Sequence, residues 1–236
     1  MAQGYELPYV MGILNIGLFS EPTKMKPSAD KLIQQGLLQL NQGHSYDAAR
    51  TFQSVLSNDP NHSAAAYHLG LIRYQEANYP ASKALLRVAA HYDRRNFQAR
   101  LYLGYACYHL NELADAKREF QRAIKLEPQS ADAHLALALI LGKGGDRNGA
   151  STHSIRAVQL APDNTEILNF NVRLLMDAGQ FEAARSSLQQ SLALDPNNSQ
   201  ARAAEILIEI ALHNLDTAQS LFADLEVAAA DWPGLN

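Results

Sequence analysis

This chain contains short segments in which apolar residues recur at helical spacing. The segments come in pairs, and polar turns separate one segment from the next. Residues 29–62 set the pattern, with one such segment at about 30–40, a turn at 41–45 and a second segment at about 46–56. An Asn-Asp-Pro stop at 58–60 follows, and proline both ends a helix and fits the first turn of the next one. The pattern therefore predicts two helices and a stop in each unit.

The same pattern returns every 34 residues, and proline, small residues and bulky residues each keep their own place in this stride. A fixed period of this length predicts a solenoid, in which each unit buries its apolar face only against its neighbours. Several stacked units are needed, because one unit buries too little apolar surface to offset its loss of backbone entropy. The recurring positions are Pro60, Pro128, Pro162 and Pro196; Ala48, Ser82, Ala116, Ala150, Ala184 and Ala218; Gly36, Gly70, Gly104 and Ala138; and Phe52, Leu86, Phe120, Leu188 and Phe222.

The small residues indicate where the two helices of one unit approach each other closely. We expect the small residue of the first helix, such as Gly104, to face the small residue of the second, such as Ala116. Larger side chains at these positions would wedge the helices apart. Units 5 and 6 depart from this pattern, so the repeat specifies their helix packing least well; the exceptions are Asn171, Val172, Glu205 and Ile206.

Residues 102–128, YLGYACYHLNELADAKREFQRAIKLEP, carry the strongest family signature. Over roughly residues 29–228 the chain resembles the tetratricopeptide repeat family, although Cys107 replaces the usual tyrosine. The resemblance implies an all-α right-handed solenoid of six helical hairpins, between an apolar N-terminal segment and linker at 1–28 and a short tail at 229–236. The residues that occupy the family's positions in this stretch are Leu103, Gly104, Ala116, Phe120, Ala123 and Pro128.

In that family the first helix of each unit lines the concave side, so the resemblance implies an apolar, tyrosine-rich groove over units 1 to 4. Tyrosine offers a broad apolar ring with a hydroxyl that bonds to peptide backbone, which suits recognition of a partner's peptide segment. The alternative is that some of these side chains only pack against the neighbouring helix. The predicted contact residues are Ile33, Leu37, Tyr67, Leu71, Tyr74, Leu101, Tyr105, Tyr108, Leu135 and Leu139. Units 5 and 6 offer Glu166, Asn169, Arg173, Asp177, Ala203, Leu207 and Ile210 at the same positions.

Charge and reactive residues exclude several classes of function. The formal net charge of −4 favours neither nucleic acid nor an anionic membrane as an obligatory partner. Residues 63–130 carry ten basic and six acidic residues, whereas 165–236 carry three and ten. This asymmetry is explained by solubility alone, by head-to-tail association into a homo-oligomer, or by a partner whose charge has the opposite polarity. The eight histidines and Cys107 form no recognised ligand or nucleophile pattern, so we predict no enzyme activity, catalytic residue, cofactor or metal site.

The segment at residues 7–20 contains no charge and is apolar around the whole helical wheel, so a helix there would need burial. Three hypotheses follow: docking into the groove or against unit 1, anchoring to a membrane surface, or donation of a strand to a partner. No apolar run reaches transmembrane length and no basic residue precedes Lys24, which favours a cytoplasmic protein. A periplasmic or membrane-associated bacterial protein is the alternative. At the other end, Trp232 or an oligomer contact is expected to cover the last unit.

These features together predict a non-enzymatic protein–protein interaction scaffold or assembly factor. One alternative is envelope assembly, since the layout resembles the six-repeat pilotins that guide outer-membrane secretins, although no lipobox cysteine lies near the N-terminus. A nucleic-acid-binding pentatricopeptide array is disfavoured by the period of 34 rather than 35, the recurring proline and the acidic balance. The carboxylate clamp of co-chaperones is also disfavoured, because Ile33 and Leu37 stand where the clamp has Lys and Asn.

Overall fold

The computed structural model describes residues 28–230, with side chains described as far as residue 225. The segment 7–20 and Trp232, for which the sequence suggests docking roles, lie outside the described residues. Within the described range the chain forms twelve α-helices and no strand. The helices are α1 Ala29–Asn41, α2 Ser45–Asn58, α3 Ser63–Gln75, α4 Tyr79–Tyr92, α5 Phe97–His109, α6 Leu113–Leu126, α7 Ala131–Lys143, α8 Arg147–Leu160, α9 Thr165–Asp177, α10 Phe181–Leu194, α11 Ser199–Ala211 and α12 Leu215–Ala230.

The helices pack as six consecutive hairpins, α1 with α2 through α11 with α12. Each even helix also packs against the odd helix that follows, so the hairpins stack in one row. The predicted all-α solenoid of six helical hairpins is confirmed. Consecutive odd helices, such as α3 and α5, contact each other more than consecutive even helices do. The side formed by the odd helices is therefore the inner side of the curved row, and we call it the inner face.

The same turn joins the two helices of every hairpin. In the first hairpin the N–H of His44 donates to the carbonyl of Gln39 at 2.8 Å, and that of Gly43 donates to the carbonyl of Leu40 at 2.9 Å. These two bonds form a Schellman motif, which satisfies the last carbonyls of the first helix. Its central residue has a left-handed φ between 56° and 81° in all six hairpins. These residues are Gly43, Ala77, Asn111, Gly145, Gly179 and His213.

Each odd helix begins at a side chain that accepts a hydrogen bond from the helix. The side chain of Asn96, for example, accepts from the N–H of Ala99 at 2.8 Å. The expectation that the recurring proline fits the first turn of the next helix is wrong. α6 ends at Leu126 and Ser130 caps the start of α7, so Pro128 lies in the linker between the two helices. The six caps are Ser28, His62, Asn96, Ser130, Asn164 and Asn198.

The glycines of the odd helices face bulky side chains of the even helices. A methyl group placed on Gly104 would lie 2.5 Å from a ring carbon of Phe120, and one on Gly36 would lie 2.6 Å from the ring of Phe52. The nearest neighbour of Gly104 is thus the ring of Phe120, a contact that the expected pairing with Ala116 did not include. Because a Cβ atom cannot approach a carbon this closely, the ring fills the space that glycine leaves open.

The hydrophobic core is divided into two clusters. The first covers hairpins 1 to 4 and ends on Leu174, whereas the second contains Leu188 and Ile208 in hairpins 5 and 6. In hairpin 6 the position that glycine holds in hairpins 1 to 3 is Ile206, and Phe222, at the position equivalent to Phe120, is 51% exposed. The packing inside hairpin 6 therefore differs from that inside hairpin 3.

Candidate functional site

The predicted groove residues all lie on odd helices, but two of them are not available for contact. Ile33 and Leu101 are buried in the first core cluster, so the prediction that they touch a partner is corrected to a packing role. The remaining eight side chains are half-buried on their helices. They are Leu37, Tyr67, Leu71, Tyr74, Tyr105, Tyr108, Leu135 and Leu139.

The tyrosines of hairpins 2 and 3 pack on one another in an aromatic cluster of Tyr74, Tyr79, Tyr102, Tyr108 and His109. The rings of Tyr79 and His109 are stacked, with centroids 4.2 Å apart and an interplanar angle of 6°. The hydroxyl of Tyr74 lies 3.0 Å from Nε2 of His109, and its ring meets that of Tyr102 edge to face at 5.4 Å. The aromatic cluster therefore joins α3 to α5 across two hairpins.

Burial changes the ionisation of these tyrosines. It raises the pKa of Tyr74 to about 12, with the neighbouring hydroxyls of Tyr79 and Tyr102 adding to the shift. Burial also raises the pKa of Tyr105, whose ring meets that of Phe120 edge to face at 5.1 Å. The hydroxyls of Tyr74 and Tyr105 thus stay protonated at neutral pH and can donate hydrogen bonds. Tyr105 therefore packs inside its own hairpin, in addition to the contact role that the sequence predicts for it.

An open cleft of about 550 Å³ lies on the inner face between α9 and α11, and we call it the C-terminal cleft. Its residues include most of those that the repeat pattern places on the inner side of units 5 and 6. The guanidinium of Arg173 lies 4.9 Å from the centre of the Phe170 ring, a cation–π contact that holds both side chains at the wall. The cleft is lined by Glu166, Asn169, Phe170, Val172, Arg173, Met176, Asp177, Leu188, Gln200, Ala201, Ala203, Ala204 and Leu207.

A second cleft of about 340 Å³, the central cleft, lies between α7 and α9. It shares Phe170, Arg173 and Asp177 with the C-terminal cleft, so the two adjoin along α9. Lys143 lines the central cleft and places its Nζ atom 4.4 Å from the centre of the Tyr108 ring. The inner face is therefore continuous from the aromatic cluster to the C-terminal cleft.

Sequence reasoning missed one position of the repeat that contributes to the inner face. His68, Tyr102 and Phe170 are separated by the stride of 34 or twice that stride, and all three carry rings. Tyr102 belongs to the aromatic cluster and Phe170 to both clefts. Met176 was also missed, although it occupies the same repeat position as Tyr108. The stride itself was the signal that would have found them.

Other reactive groups are explained by packing. Cys107 is buried, and burial raises the pKa of its thiol to about 11, so it is a neutral core residue. His134 and His153 place their Nδ1 atoms 2.9 Å apart, a pair between α7 and α8 that sequence spacing did not reveal. Among residues 28–225, no three side chains of the metal-ligating types converge. None of the helices described has the length and apolarity that a bilayer crossing requires.

Models of one repeat family match most of this chain. A model described as TPR repeat matches residues 104–145, and two described as Tetratricopeptide repeat match 33–90 and, in two overlapping copies, 143–205 and 175–234. These ranges contain the predicted repeat signature and all six hairpins in whole or in part.

Two curated relatives share part of their length with this chain. The BBSome complex member bbs-4 of Caenorhabditis elegans is 27% identical over 175 residues, which are 71% of this chain and 38% of that protein. The tetratricopeptide repeat and J domain-containing co-chaperone DNJ1 of Cryptococcus neoformans is 21% identical over 213 residues, or 82% and 39% of the two chains. This chain thus spans about two fifths of the length of the relatives it matches.

Solved structures share the fold. YrrB, described as a TPR protein with an unusual peptide-binding site, superposes with a TM-score of 0.68 at 17% identity, over 78% of this chain and 94% of that one. The structure of pilF from Pseudomonas aeruginosa gives a TM-score of 0.68 at 20% identity, over 87% and 92%. With the repeat stride, the six hairpins and the family matches in agreement, this chain belongs to the tetratricopeptide repeat family.

Proposed function

We propose that this protein is a non-enzymatic scaffold or assembly factor that binds a peptide segment of a partner protein along its inner face. The observation that carries the proposal is the pair of adjoining clefts that share Phe170, Arg173 and Asp177. A peptide laid across them meets apolar side chains at the floor and charges of both signs at the edge. This combination suits an amphipathic or extended segment, whose apolar residues anchor it and whose polar groups fix its register.

The aromatic cluster extends this surface toward hairpin 2. Its tyrosine rings are only half covered, so they offer apolar contact area to a bound segment. Lys143, which contacts the ring of Tyr108 and lines the central cleft, links the two regions. The half-buried Leu71 and Leu139 lie on the same helices and add apolar contact area. The partner segment therefore runs across α3, α5, α7 and α9 toward α11.

The names of the two curated relatives support a role in contact with other proteins. One is a member of a complex, and the other is a co-chaperone. An assembly role follows the same physical logic, because a rigid inner face can hold a segment of a subunit until its final partner replaces it.

The proposal is tested by capturing partners with the whole chain and then measuring affinity for the captured segment. Leu207→Glu is the informative variant, because Leu207 lines the C-terminal cleft and is 56% exposed. Leu215→Glu is the matched control, since Leu215 is 62% exposed and lies outside the cleft. We expect Leu207→Glu to weaken binding about tenfold or more and Leu215→Glu to leave it within about twofold. Equal effects of the two variants would contradict binding in the cleft.

The uncharged segment at residues 7–20 is a second candidate occupant of the inner face. Its lack of charge matches the apolar floor of the clefts, and its occupation of them would compete with a partner. Deleting residues 1–24 then raises partner affinity and lowers thermal stability. If the segment instead anchors the protein to a membrane surface, the deletion abolishes liposome binding and leaves partner affinity unchanged.

A further inference from the structure

A depression of about 590 Å³ on the outer side of hairpins 2 and 3, away from both inner clefts, is rich in arginine. It lies between α4 and α6, with α5 as its floor, and we call it the arginine pocket. We propose that the arginine pocket binds an anionic peptide segment of a partner protein, as a second site that is independent of the inner face. Its lining residues are Arg87, Ala90, His91, Arg94, Arg100, Leu103, Cys107, Asp115, Arg118, Glu119 and Arg122.

A buried carboxylate holds the base of the pocket in place. Glu119 is buried and accepts hydrogen bonds from Arg100 at 3.0 Å and from Arg122 at 2.6 Å. Arg100 donates a further bond to the carbonyl of Ala90 at 2.8 Å, which connects α5 to α4. These bonds fix the guanidinium groups of Arg100 and Arg122 before any ligand arrives, so these two side chains lose less entropy on binding than free arginines do.

The charges in the pocket do not balance. Five arginines line it, against the two carboxylates of Asp115 and Glu119. Among the described residues, Arg87 and Arg94 form no ion pair within 4.0 Å, and both are exposed at the rim. A guanidinium presents its N–H groups as a fork that matches a carboxylate or a phosphate. The uncompensated positive charge therefore favours a ligand that brings several negative charges to one place.

The extent of the charge favours a peptide over a nucleic acid. A nucleic acid needs a positively charged track that follows its backbone over several phosphates. Here the excess of basic residues is confined to 63–130, and 165–236 has the opposite sign. The floor of the pocket holds the buried, uncharged side chains of Leu103 and Cys107 beside the ion pair of Arg100 and Glu119. A compact group of carboxylates, or one phosphorylated side chain, fits this patch better than an extended strand does.

The experiment measures fluorescence anisotropy of labelled probes with the whole chain. The probes are a hexaglutamate peptide, a peptide with one phosphoserine, a neutral hexaglutamine peptide and a short oligothymidylate. We expect one or both anionic peptides to bind at least about tenfold more tightly than hexaglutamine, and to weaken as salt rises. The ratio of the two affinities tells whether carboxylates or a phosphate supply the charge.

The paired variants are Arg87→Gln with Arg94→Gln in the pocket, and Arg50→Gln with Arg156→Gln elsewhere on the surface. Both pairs remove two positive charges, and Arg87 and Arg94 hold no ion pair on which folding depends. We expect the pocket pair to weaken the anionic peptide about tenfold and the control pair less than about twofold. Equal losses in both pairs, equal affinity for hexaglutamine, or tighter binding of the oligothymidylate would overturn the proposal.

Discussion

Hairpins 1 to 4 and hairpins 5 and 6 follow the same repeat, but different side chains fill the space between their helices. In the first group, a glycine such as Gly36 or Gly104 admits a phenylalanine ring into the hairpin. In hairpin 6, Ile206 takes the place of the glycine and Phe222 is exposed. The C-terminal group has its own, smaller core cluster, and Asn171 is buried at the position where hairpin 3 has Leu103. The difference shows that a repeat keeps its helices while individual interior positions change in size and polarity.

This contrast bears on the proposed function. The two inner clefts lie along α9, where hairpin 5 begins, and not in hairpins 2 and 3, where tyrosines are most abundant. Aromatic side chains in hairpins 2 and 3 fill the inner face with contacts to one another, whereas small residues such as Ala203 and Ala204 leave space on α11. Open volume on the inner face therefore follows small side chains more closely than it follows aromatic content.

The largest test places in hairpin 3 the residue that hairpin 5 has at the same repeat position, Val172. Gly104→Val places a branched side chain where a single methyl already lies 2.5 Å from Phe120, and we expect it to lower the free energy of unfolding by about 3 kcal/mol. Ile206→Val, at the equivalent position, is the control and costs about 1 kcal/mol or less. Urea unfolding followed by circular dichroism measures both. Similar losses would mean that the glycine is not required for the ring to enter.

A second test replaces a buried polar side chain of hairpin 5 with the apolar one that hairpin 3 has at the same position. Asn171 is buried and donates to Ser187 at 2.8 Å, but its Oδ1 atom has no partner among the described residues. We expect Asn171→Leu to raise the free energy of unfolding by about 1 kcal/mol, since leucine occupies this position at Leu103. Asn148→Leu, on the exposed surface of α8, is the control and changes stability by less than about 0.5 kcal/mol. A destabilised Asn171→Leu protein would show that the polar interior is required.

A third test compares two buried serines. The hydroxyl of Ser82, in the first core region, has no hydrogen-bond partner among the described residues. That of Ser191 donates to the side chain of Asn169 at 2.7 Å. Ser82→Ala should therefore stabilise the protein and Ser191→Ala destabilise it, each by about 1 kcal/mol. Thermal unfolding of both variants gives the signs, and two changes of the same sign would remove this distinction between the regions.

The smallest effect is a difference in pH dependence. Burial lowers the pKa of His68, whose ring stacks on Phe52 at 5.3 Å. The unfolded chain then binds the proton more readily, so the contribution of His68 to stability is kept above its ordinary pKa and lost as the pH falls below it. Burial, followed by repulsion from Glu209, raises the pKa of Glu205, and Arg202 opposes the shift. Acidification toward the ordinary pKa of glutamate therefore favours hairpin 6.

The measurement is the unfolding midpoint at about pH 7.5 and about pH 5.5, where histidine changes its charge. His68→Phe should lose less stability on acidification than the parent protein does. Glu205→Gln should lose more, since it no longer gains from protonation in the folded state. If both variants keep the parent's pH dependence, then neither His68 nor Glu205 contributes to the pH dependence of stability, and this difference between the two groups of hairpins is absent.

The stride of 34 was enough to predict the helix pairs and their number. It was not enough to pair Gly104 with Phe120, because that contact depends on how far each helix is rotated about its axis. The contact between His134 and His153 was missed for a related reason. Their separation of 19 residues brings them together only after the hairpin has formed. Spacing within one helix predicts a face, whereas contacts between helices need the packed structure.

The size of the open clefts also could not be predicted from the sequence. Tyr74 and Tyr108 lie on the predicted side of their helices, but their rings turn toward His109 and narrow the groove there. At α11 the positions equivalent to Leu101 and Tyr102 hold Ala203 and Ala204, and the space remains open there. The repeat pattern gives the identity of each inner residue, whereas the volume depends on which neighbour each side chain contacts.

The shared turn within the hairpins affects how such a protein can change its length. Gly145 and Gly179 have the same left-handed backbone and the same two hydrogen bonds, one repeat apart. Genetic recombination between such points adds or deletes one complete unit while every helix keeps an intact start and end. The reach of the molecule along a partner can therefore grow or shrink in whole steps, without a new connection having to arise each time.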